Sequence, residues 1–265
     1  MLHTLSAFRL TTRDAMRLHI ILGPTSVGKT ARATRLAKDT GTPVVMLDRI
    51  QCYRELTTTS GRPRPAEIGG TTRLYLDDRR VADGELTAAD AYAKLRQILQ
   101  HLVFRHPCVI LEGGSLSLCP ALFAGDALAD KRVTLQHVTI PDMALYRERL
   151  YARILDMLAP NDHRLTMLEE LANVWPLAAT QPFVRTIGGF DVLIAWCERT
   201  GIAPGELRAA ARHVAVRRAL AGLVLERHIE HAQTQQAVFT SLAAHTANIS
   251  SMSPAAFPSA PAATA

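Results

Sequence analysis

One glycine-rich stretch of the chain has the residue types and spacing to bind phosphate. Residues 23–30 read Gly-Pro-Thr-Ser-Val-Gly-Lys-Thr and fit the P-loop pattern G-x-x-x-x-G-K-[ST]. Gly23 and Gly28 allow the backbone amides to turn toward an anion, which the start of a following helix also attracts. Lys29 can bring an ammonium group to phosphate oxygens, and Thr30 can offer a hydroxyl to Mg²⁺. This stretch, the phosphate loop, therefore predicts a site for a diphosphate or triphosphate.

Two acidic side chains follow apolar runs that are typical of buried strands. Asp48 comes after residues 44–47, and Glu112 comes after residues 108–111. In an open α/β sheet the ligand crevice lies at the carboxyl ends of the strands, so Asp48 should lie beside the phosphate loop. There it could accept a proton, hold metal-bound water or hydrogen-bond an amine; a helix cap or an ion pair with Arg49 is the structural alternative. For Glu112, metal-water ligation and loop capping both remain open.

Two further pairs have helical spacing. Arg149 and Arg153 are four residues apart and project from one helix face, where they could clamp a diphosphate. A solvated basic face is the alternative, and Arg153 is the stronger candidate. His228 and His231 are three residues apart on the last predicted helix. Because no third ligand accompanies them, a substrate contact or a surface position is favoured over a metal site.

The elements that must position these groups alternate between strands and helices. Strands are predicted at 18–22, 44–47, 108–111 and 133–140, and helices at 31–38 and 87–102. This alternation indicates an α/β fold with a P-loop NTPase-like parallel sheet flanked by helices. Further helices are predicted at 143–158, 166–175, 183–199 and 206–236, so a C-terminal helical region follows the sheet. We expect an N-terminal extension over 1–17, the P-loop domain over 18–141, a helical region completing the cleft over 142–240, and a disordered tail over 241–265.

Composition narrows the class of protein. The 265 residues are 48% hydrophobic and 20% charged, with a formal net charge of +6, which suits a globular protein with anionic ligands. No run of Lys and Arg marks a nucleic-acid surface. Four cysteines without C-x-x-C spacing predict reduced thiols in an intracellular protein. Because no apolar run approaches the roughly 20 residues of a membrane span and no signal-peptide pattern is present, we expect a cytoplasmic protein without a membrane partner.

Five segments make the chain resemble the bacterial adenylate dimethylallyltransferases, the isopentenyl transferases that make cytokinins. They are the phosphate loop, Leu-Asp-Arg-Ile-Gln-Cys-Tyr (47–53), Thr-Ser-Gly-Arg-Pro (59–63), Thr-Arg-Leu-Tyr-Leu-Asp (72–77) and Leu-Glu-Gly-Gly-Ser-Leu-Ser-Leu (111–118). The resemblance runs from about residue 18 to residue 236. It implies transfer of a dimethylallyl group from dimethylallyl diphosphate to the N6 amine of AMP, the first step of cytokinin biosynthesis, with Mg²⁺ as cofactor.

The resemblance also implies roles for the residues. The phosphate loop then holds the diphosphate of the prenyl donor, which is the leaving group, instead of delivering a γ-phosphate. The implied donor site comprises Gly23, Pro24, Thr25, Ser26, Val27, Gly28, Lys29, Thr30, Arg149 and Arg153, with Thr30 reaching the metal. The implied acceptor site comprises Asp48, Ser60, Gly61, Arg62, His228 and His231. Catalysis is assigned to Asp48 as the base for the adenine amine, Thr25 as the donor to the bridging oxygen, and Lys29 and Arg153 as stabilisers of the leaving charge.

Two departures from the family pattern bear on the donor. Residues 187–190 read Ile-Gly-Gly-Phe, where some members have an acidic residue, and His228 stands where the family has a tyrosine, whereas His231 matches a family histidine. Lacking the acid, the chain should prefer plain dimethylallyl diphosphate to a hydroxylated donor.

Three other functions compete with this interpretation. A tRNA dimethylallyltransferase shares the chemistry. Such proteins are usually longer, however, and contain an inserted RNA-binding helical module for which this chain shows no obvious room. A P-loop small-molecule kinase is a second alternative, and a non-catalytic nucleotide-binding module is a third and weaker one. The expected partners are therefore small-molecule substrates, not nucleic acid. The choice among AMP, ADP and ATP stays open, as does a homo-oligomeric state.

Overall fold

The computed structural model describes residues 15–160 and 163–247. Most of the predicted N-terminal extension and most of the predicted disordered tail, residues 1–14 and 248–265, lie outside the described residues.

A parallel sheet of five strands forms the centre of the molecule. The strands are β1 (Arg17–Leu22), β2 (Val44–Leu47), β3 (Arg73–Leu74), β4 (Cys108–Gly113) and β5 (Arg132–His137). Their order across the sheet is β3-β2-β4-β1-β5, and every neighbouring pair is parallel. Both β2 and β4 are buried along their whole length, which is why they are continuous apolar runs in the sequence. The predicted P-loop NTPase-like α/β class is confirmed.

Ten α-helices of the described residues surround or extend the sheet. They are α1 (Lys29–Thr40), α2 (Pro65–Ile68), α3 (Ala88–Leu102), α4 (Leu118–Ala124), α5 (Met143–Leu158), α6 (Met167–Val174), α7 (Gln181–Val184), α8 (Phe190–Thr200), α9 (Leu207–Ala210) and α10 (Val214–Ala247). Buried side chains of the sheet and of α5 to α10 belong to one continuous core. None of the helices within the described ranges has the length and apolar character needed to cross a membrane.

Several predicted boundaries were wrong. The predicted helix 183–199 is two helices, because the chain turns at Gly189, whose φ of 95° few other residues adopt. The predicted helix 206–236 is interrupted before Val214 and then runs to Ala247. Its last turns have a partner that the sequence does not reveal: the buried Phe239 ring packs edge-on against His137, with centroids 6.5 Å apart. The fourth predicted strand ends at His137 instead of continuing to residue 140, where the backbone N–H of Ile140 donates to Gln236 on α10.

Candidate active site

One cavity of about 1000 Å³ lies at the carboxyl ends of β2 and β4, between the phosphate loop, α5, the turn before α8, and α10. Its walls include most of the residues that the sequence nominated: Thr25, Ser26, Gly28, Lys29, Thr30, Asp48, Ser60, Gly61, Arg62, Arg149, Arg153, His228 and His231. Gly23, Pro24 and Val27 are outside this lining. Gly23 and Pro24 are buried beneath the loop, and a Cβ at Gly23 would meet the Val138 carbonyl oxygen at 2.3 Å. Val27 packs on the hydrophobic core, so these three residues shape the loop from behind.

The phosphate loop connects β1 to α1 through backbone conformations that favour glycine. Gly28, the residue before α1, has a φ of 88°, and Ser26 has a φ of 60°. Lys29 Nζ donates to the Pro24 carbonyl oxygen at 2.5 Å. Burial lowers the pKa of Lys29 to about 8, and the nearby Glu112 and Asp48 carboxylates partly oppose this shift. A bound anion would favour the charged form of this lysine, as a diphosphate site requires.

Beside the loop, Thr30 belongs to a buried hydrogen-bond cluster. The Thr30 hydroxyl donates to Glu112 Oε1 at 2.7 Å, while Glu112 Oε2 pairs with the guanidinium of Arg73. Arg73 also donates to the Thr34 hydroxyl at 2.7 Å, and the Arg73 and Glu112 side chains are almost fully buried. Glu112 therefore does not cap a loop, and both of its carboxylate oxygens are already bonded, one to Thr30 and one to Arg73. The Thr30 hydroxyl oxygen keeps its lone pairs and lies on the cavity wall, so it fits a hard cation that takes its other ligands from a diphosphate and water.

Asp48 follows β2 and caps the short turn at Ile50–Cys52. Its Oδ1 accepts from the backbone N–H groups of Ile50 at 2.8 Å and of Gln51 at 3.3 Å. Arg49 forms its ion pair with Glu85 at 3.0 Å, not with Asp48. Burial raises the pKa of Asp48, although the two backbone donors and Lys29 oppose the shift. The carboxylate thus caps a turn and also lines the cavity, with a higher proton affinity than an ordinary aspartate.

Of the two predicted arginines on α5, only Arg153 bonds to the phosphate loop. Its Nη1 donates to Ser26 Oγ at 3.0 Å. Arg149 lies on the cavity wall, one helical turn away. The structure thus brings Arg153 to the loop and Arg149 to its neighbourhood.

Residues 57–62, which we call the acceptor loop, are held by a carboxylate that sequence reasoning missed. Glu170 on α6 is 1% exposed and accepts from the backbone N–H groups of Thr58 at 2.7 Å and Thr59 at 2.8 Å. It also accepts from the Thr57 hydroxyl at 3.2 Å. A signal was present, because Glu170 falls on the buried side of an otherwise apolar helix stripe. At the end of the loop, the Arg62 guanidinium stacks 3.7 Å from the centre of the Tyr75 ring.

His228 and His231 reach the cavity from α10. His228 Nδ1 lies 2.9 Å from the Val224 carbonyl oxygen, which leaves Nε2 as the acceptor of the neutral ring. Burial lowers the pKa of His228 to about 4, so this ring is neutral at physiological pH. It lies against residues 187–190, since a Cβ at Gly189 would be 3.2 Å from its Cε1. The two departures from the family pattern are therefore neighbours in space. Within the described ranges, no group of three or more His, Cys, Asp or Glu side chains could hold a metal ion.

Two other side chains that hold the phosphate loop were also missed. Gln235 on α10 and Tyr146 on α5 both hydrogen-bond to the backbone of Thr25. Neither stands in a motif, and nothing in the local sequence singles them out.

A phosphate loop after the first strand of a parallel sheet, strand-end carboxylates and arginines on a helical cover together define a P-loop phosphate-binding α/β protein. The model of the isopentenyl transferase family matches residues 16–249, so the chain belongs to the isopentenyl transferase family. The family resemblance seen in the sequence is confirmed.

Curated relatives and solved structures agree with this membership. The chain is 32% identical over 222 residues to an adenylate dimethylallyltransferase of Rhodococcoides fascians, covering 84% of this chain and 87% of the relative. It is 36% identical over 234 residues to an adenylate dimethylallyltransferase of Agrobacterium fabrum, covering 84% and 91%. The fold is similar to that of a tRNA isopentenylpyrophosphate transferase from Bacillus halodurans, with a TM-score of 0.64 at 14% identity over 84% of this chain and 86% of that one.

Proposed function

We propose that this enzyme transfers a dimethylallyl group from dimethylallyl diphosphate to the N6 amine of AMP. One observation carries the proposal: a single cavity joins the phosphate loop to the Asp48 carboxylate and the acceptor loop. The relatives named adenylate dimethylallyltransferase support the choice of substrates.

The donor half of the cavity is suited to a diphosphate leaving group. As the allylic carbon–oxygen bond breaks, positive charge builds on the prenyl carbon and negative charge builds on the departing diphosphate. Lys29, Arg153 and the loop backbone place positive charge and N–H donors where that negative charge develops. Thr25 also lies on the cavity wall, and its hydroxyl is proposed to donate to the bridging oxygen.

Thr30 would hold Mg²⁺ when the donor is bound. The ion would supply charge neutralisation of the diphosphate, which is the chemistry expected of a hard cation with oxygen ligands. The Thr30 hydroxyl proton is donated to Glu112, itself fixed by Arg73, so the lone pairs of the hydroxyl oxygen would remain available to the ion.

The acceptor half must activate a weak nucleophile. The lone pair of the adenine amine is delocalised into the ring, so the amine must be aimed and must lose a proton as the new carbon–nitrogen bond forms. Asp48 is proposed to accept a hydrogen bond from the N–H of this amine and then to take its proton. Its raised pKa makes it a better base than an ordinary aspartate. Ser60, Gly61 and Arg62 are proposed to hold the nucleotide beside it.

Residues 187–190 and the acid that follows them bear on the donor chain. Gly188 and Gly189 carry no acidic side chain, and the nearby Asp191 carboxylate already accepts from the Gly189 N–H at 2.9 Å and pairs with Arg227 at 2.5 Å. Because this acid is already paired and the His228 ring is neutral, we propose a preference for plain dimethylallyl diphosphate. A comparison of kcat/KM for the plain and the hydroxylated donor tests this preference, and comparable values would refute it.

The experiment that tests the proposed reaction supplies labelled dimethylallyl diphosphate with either AMP or unmodified tRNA. We expect label in AMP, with loss of product when Mg²⁺ is chelated. Label in tRNA but not in AMP would instead identify a tRNA dimethylallyltransferase, whose fold this chain shares. ATP-dependent phosphorylation without prenyl transfer would identify a kinase.

We infer that the reaction takes place in the bacterial cytoplasm, with small molecules as partners; the four free, buried cysteines are in keeping with this.

A further inference from the structure

Gln235 joins α10 to two sheet-end loops through both ends of its amide. Its Oε1 accepts from the Thr25 backbone N–H at 3.0 Å, and its Nε2 donates to the Gly114 carbonyl oxygen at 2.5 Å. Only this orientation of the amide gives each group a partner of the opposite kind. The side chain is 4% exposed, so replacing it with an apolar group would leave a buried donor and a buried acceptor unsatisfied.

The approach of Gln235 depends on the glycine that directly follows β4. A Cβ at Gly114 would lie 2.9 Å from Gln235 Nε2 and 3.0 Å from the Gly23 carbonyl oxygen. The side chain therefore lies in close contact where the loops after β1 and β4 meet.

Tyr146 holds the other side of Thr25. Its hydroxyl, on α5, donates to the Thr25 carbonyl oxygen at 3.0 Å. Burial raises the pKa of Tyr146 to about 12, so the phenol keeps its proton and remains a donor across the physiological range. Both backbone groups of Thr25 are thus bound by side chains from the helical region.

Fixing both groups of one residue fixes its conformation. The N–H belongs to the peptide plane before Thr25 and the carbonyl to the plane after it, so φ and ψ of Thr25 are set between two held planes. The direction of its Cα–Cβ bond then follows. The Thr25 amide is also already occupied, which leaves the hydroxyl as the group that this residue can offer to a ligand in the cavity.

We propose that Gln235 and Tyr146 are positioning residues that aim the Thr25 hydroxyl at the bridging oxygen of the leaving diphosphate. The inference rests on the proposed function, because it is that reaction whose leaving group Thr25 serves. The helical region then acts on the chemical step through the backbone of the phosphate loop, in addition to covering the cavity.

A double-mutant cycle tests this coupling. The kcat for prenylated AMP at saturating substrates is measured for the wild type, Thr25→Val, Gln235→Leu and the double variant. We expect Gln235→Leu to lower kcat by about 10-fold to 100-fold in the wild-type background and by less than about 3-fold when Thr25→Val is already present. An equal factor in both backgrounds, or a Thr25→Val variant with undiminished kcat, overturns the inference.

The neighbouring glutamine provides the matched control. Gln236 also binds a backbone N–H of another element, that of Ile140 at 2.9 Å, but it does not bond to the phosphate loop. Gln236→Leu should lower stability with little change in kcat, and a loss of kcat equal to that of Gln235→Leu contradicts positioning. If Gln235→Leu does not fold, Tyr146→Phe serves in its place, because it removes one hydroxyl and leaves the ring unchanged. Its loss of kcat should likewise be smaller when Thr25→Val is already present. An equal loss of kcat with and without Thr25→Val refutes positioning.

Hydrogen exchange separates this inference from the proposed function. Exchange of the Thr25 amide should speed up in Gln235→Leu and stay slow in Gln236→Leu, whichever acceptor the enzyme uses. An unchanged exchange rate of the Thr25 amide in Gln235→Leu refutes the proposal that Gln235 holds the Thr25 backbone. Failure of the wild type to prenylate AMP refutes the proposed acceptor, and the cycle is then run with the acceptor that takes up label.

Discussion

The guanidinium of Arg153 lies directly against Gly61, so the phosphate loop and the acceptor loop meet at one side chain. A Cβ at Gly61 would be only 2.3 Å from Arg153 Nη2, while Nη1 of the same group donates to Ser26 Oγ at 3.0 Å. Because one arginine touches both loops, a change on the acceptor side can alter the donor site.

Gly61→Ala is expected to raise the KM for dimethylallyl diphosphate about tenfold. The new methyl group pushes Arg153 away from Ser26, which costs a hydrogen bond to a charged group, about 1.5–3 kcal/mol. Steady-state kinetics with varied donor measures the effect. Gly70→Ala is the matched control, since Gly70 has a similar φ of 79° against 64° for Gly61 but open space around it. Both variants should lose about 1–2 kcal/mol of stability from the left-handed backbone. Equal KM values in the two variants would contradict the role given to Arg153.

Asp48→Asn should abolish most turnover without destabilising the fold. Loss of the base lowers kcat by about 10²–10⁴. Because burial raises the pKa of Asp48, the folded state binds its proton more tightly than the unfolded state does, and its contribution to stability falls as pH rises above the ordinary aspartate pKa. At pH 7 the asparagine variant should therefore unfold at the same or a higher urea concentration. The exposed Asp39→Asn on α1 should change neither quantity. Turnover near the wild-type value in Asp48→Asn would exclude Asp48 as the base.

The lowered pKa of Lys29 predicts that kcat/KM for the donor decreases at alkaline pH. Its pKa near 8 in the free enzyme means that the ammonium is present below that pH and is lost above it. The kcat/KM for the donor should therefore fall above about pH 8, approaching tenfold per pH unit, while kcat falls only at higher pH because the bound diphosphate favours the charged lysine. Lys29→Arg should have a lower kcat/KM that does not decrease further between about pH 8 and pH 10. A wild-type profile that stays flat to pH 10 would contradict this assignment.

Glu170→Gln should weaken acceptor binding selectively. The amide offers an N–H where a carboxylate oxygen now accepts from the acceptor loop, leaving one buried donor unsatisfied at about 1–3 kcal/mol. We expect the KM for AMP to rise about tenfold and the KM for the donor to stay within twofold. Glu169→Gln, one residue away, retains an acceptor for the Thr166 N–H and should leave both constants unchanged. If both KM values rise together in Glu170→Gln, the loop is not specific to the acceptor.

Local sequence determined the parts of the site that depend on a few consecutive residues. A strand, a glycine loop and a helix follow one another within residues 17–40, so the phosphate loop could be placed by pattern alone. Asp48 could be placed because a buried apolar run ends directly before it, and parallel strands bring their carboxyl ends to one edge of the sheet. The α/β class followed from the same alternation of elements.

Tertiary structure alone decided which distant side chains hold these groups. Glu170 reaches the acceptor loop across more than 100 positions, and Gln235 reaches Thr25 across 210. Such contacts depend on how α5, α6 and α10 pack on the sheet, and no period or motif in the sequence encodes a single partner at that separation. The same reason explains the continuation of α10 past residue 236, which Phe239 stabilises against His137. The sequence therefore determined that a phosphate loop and Asp48 would share a crevice, whereas packing decided that the helical region holds Thr25, because both of its backbone groups are bonded from there.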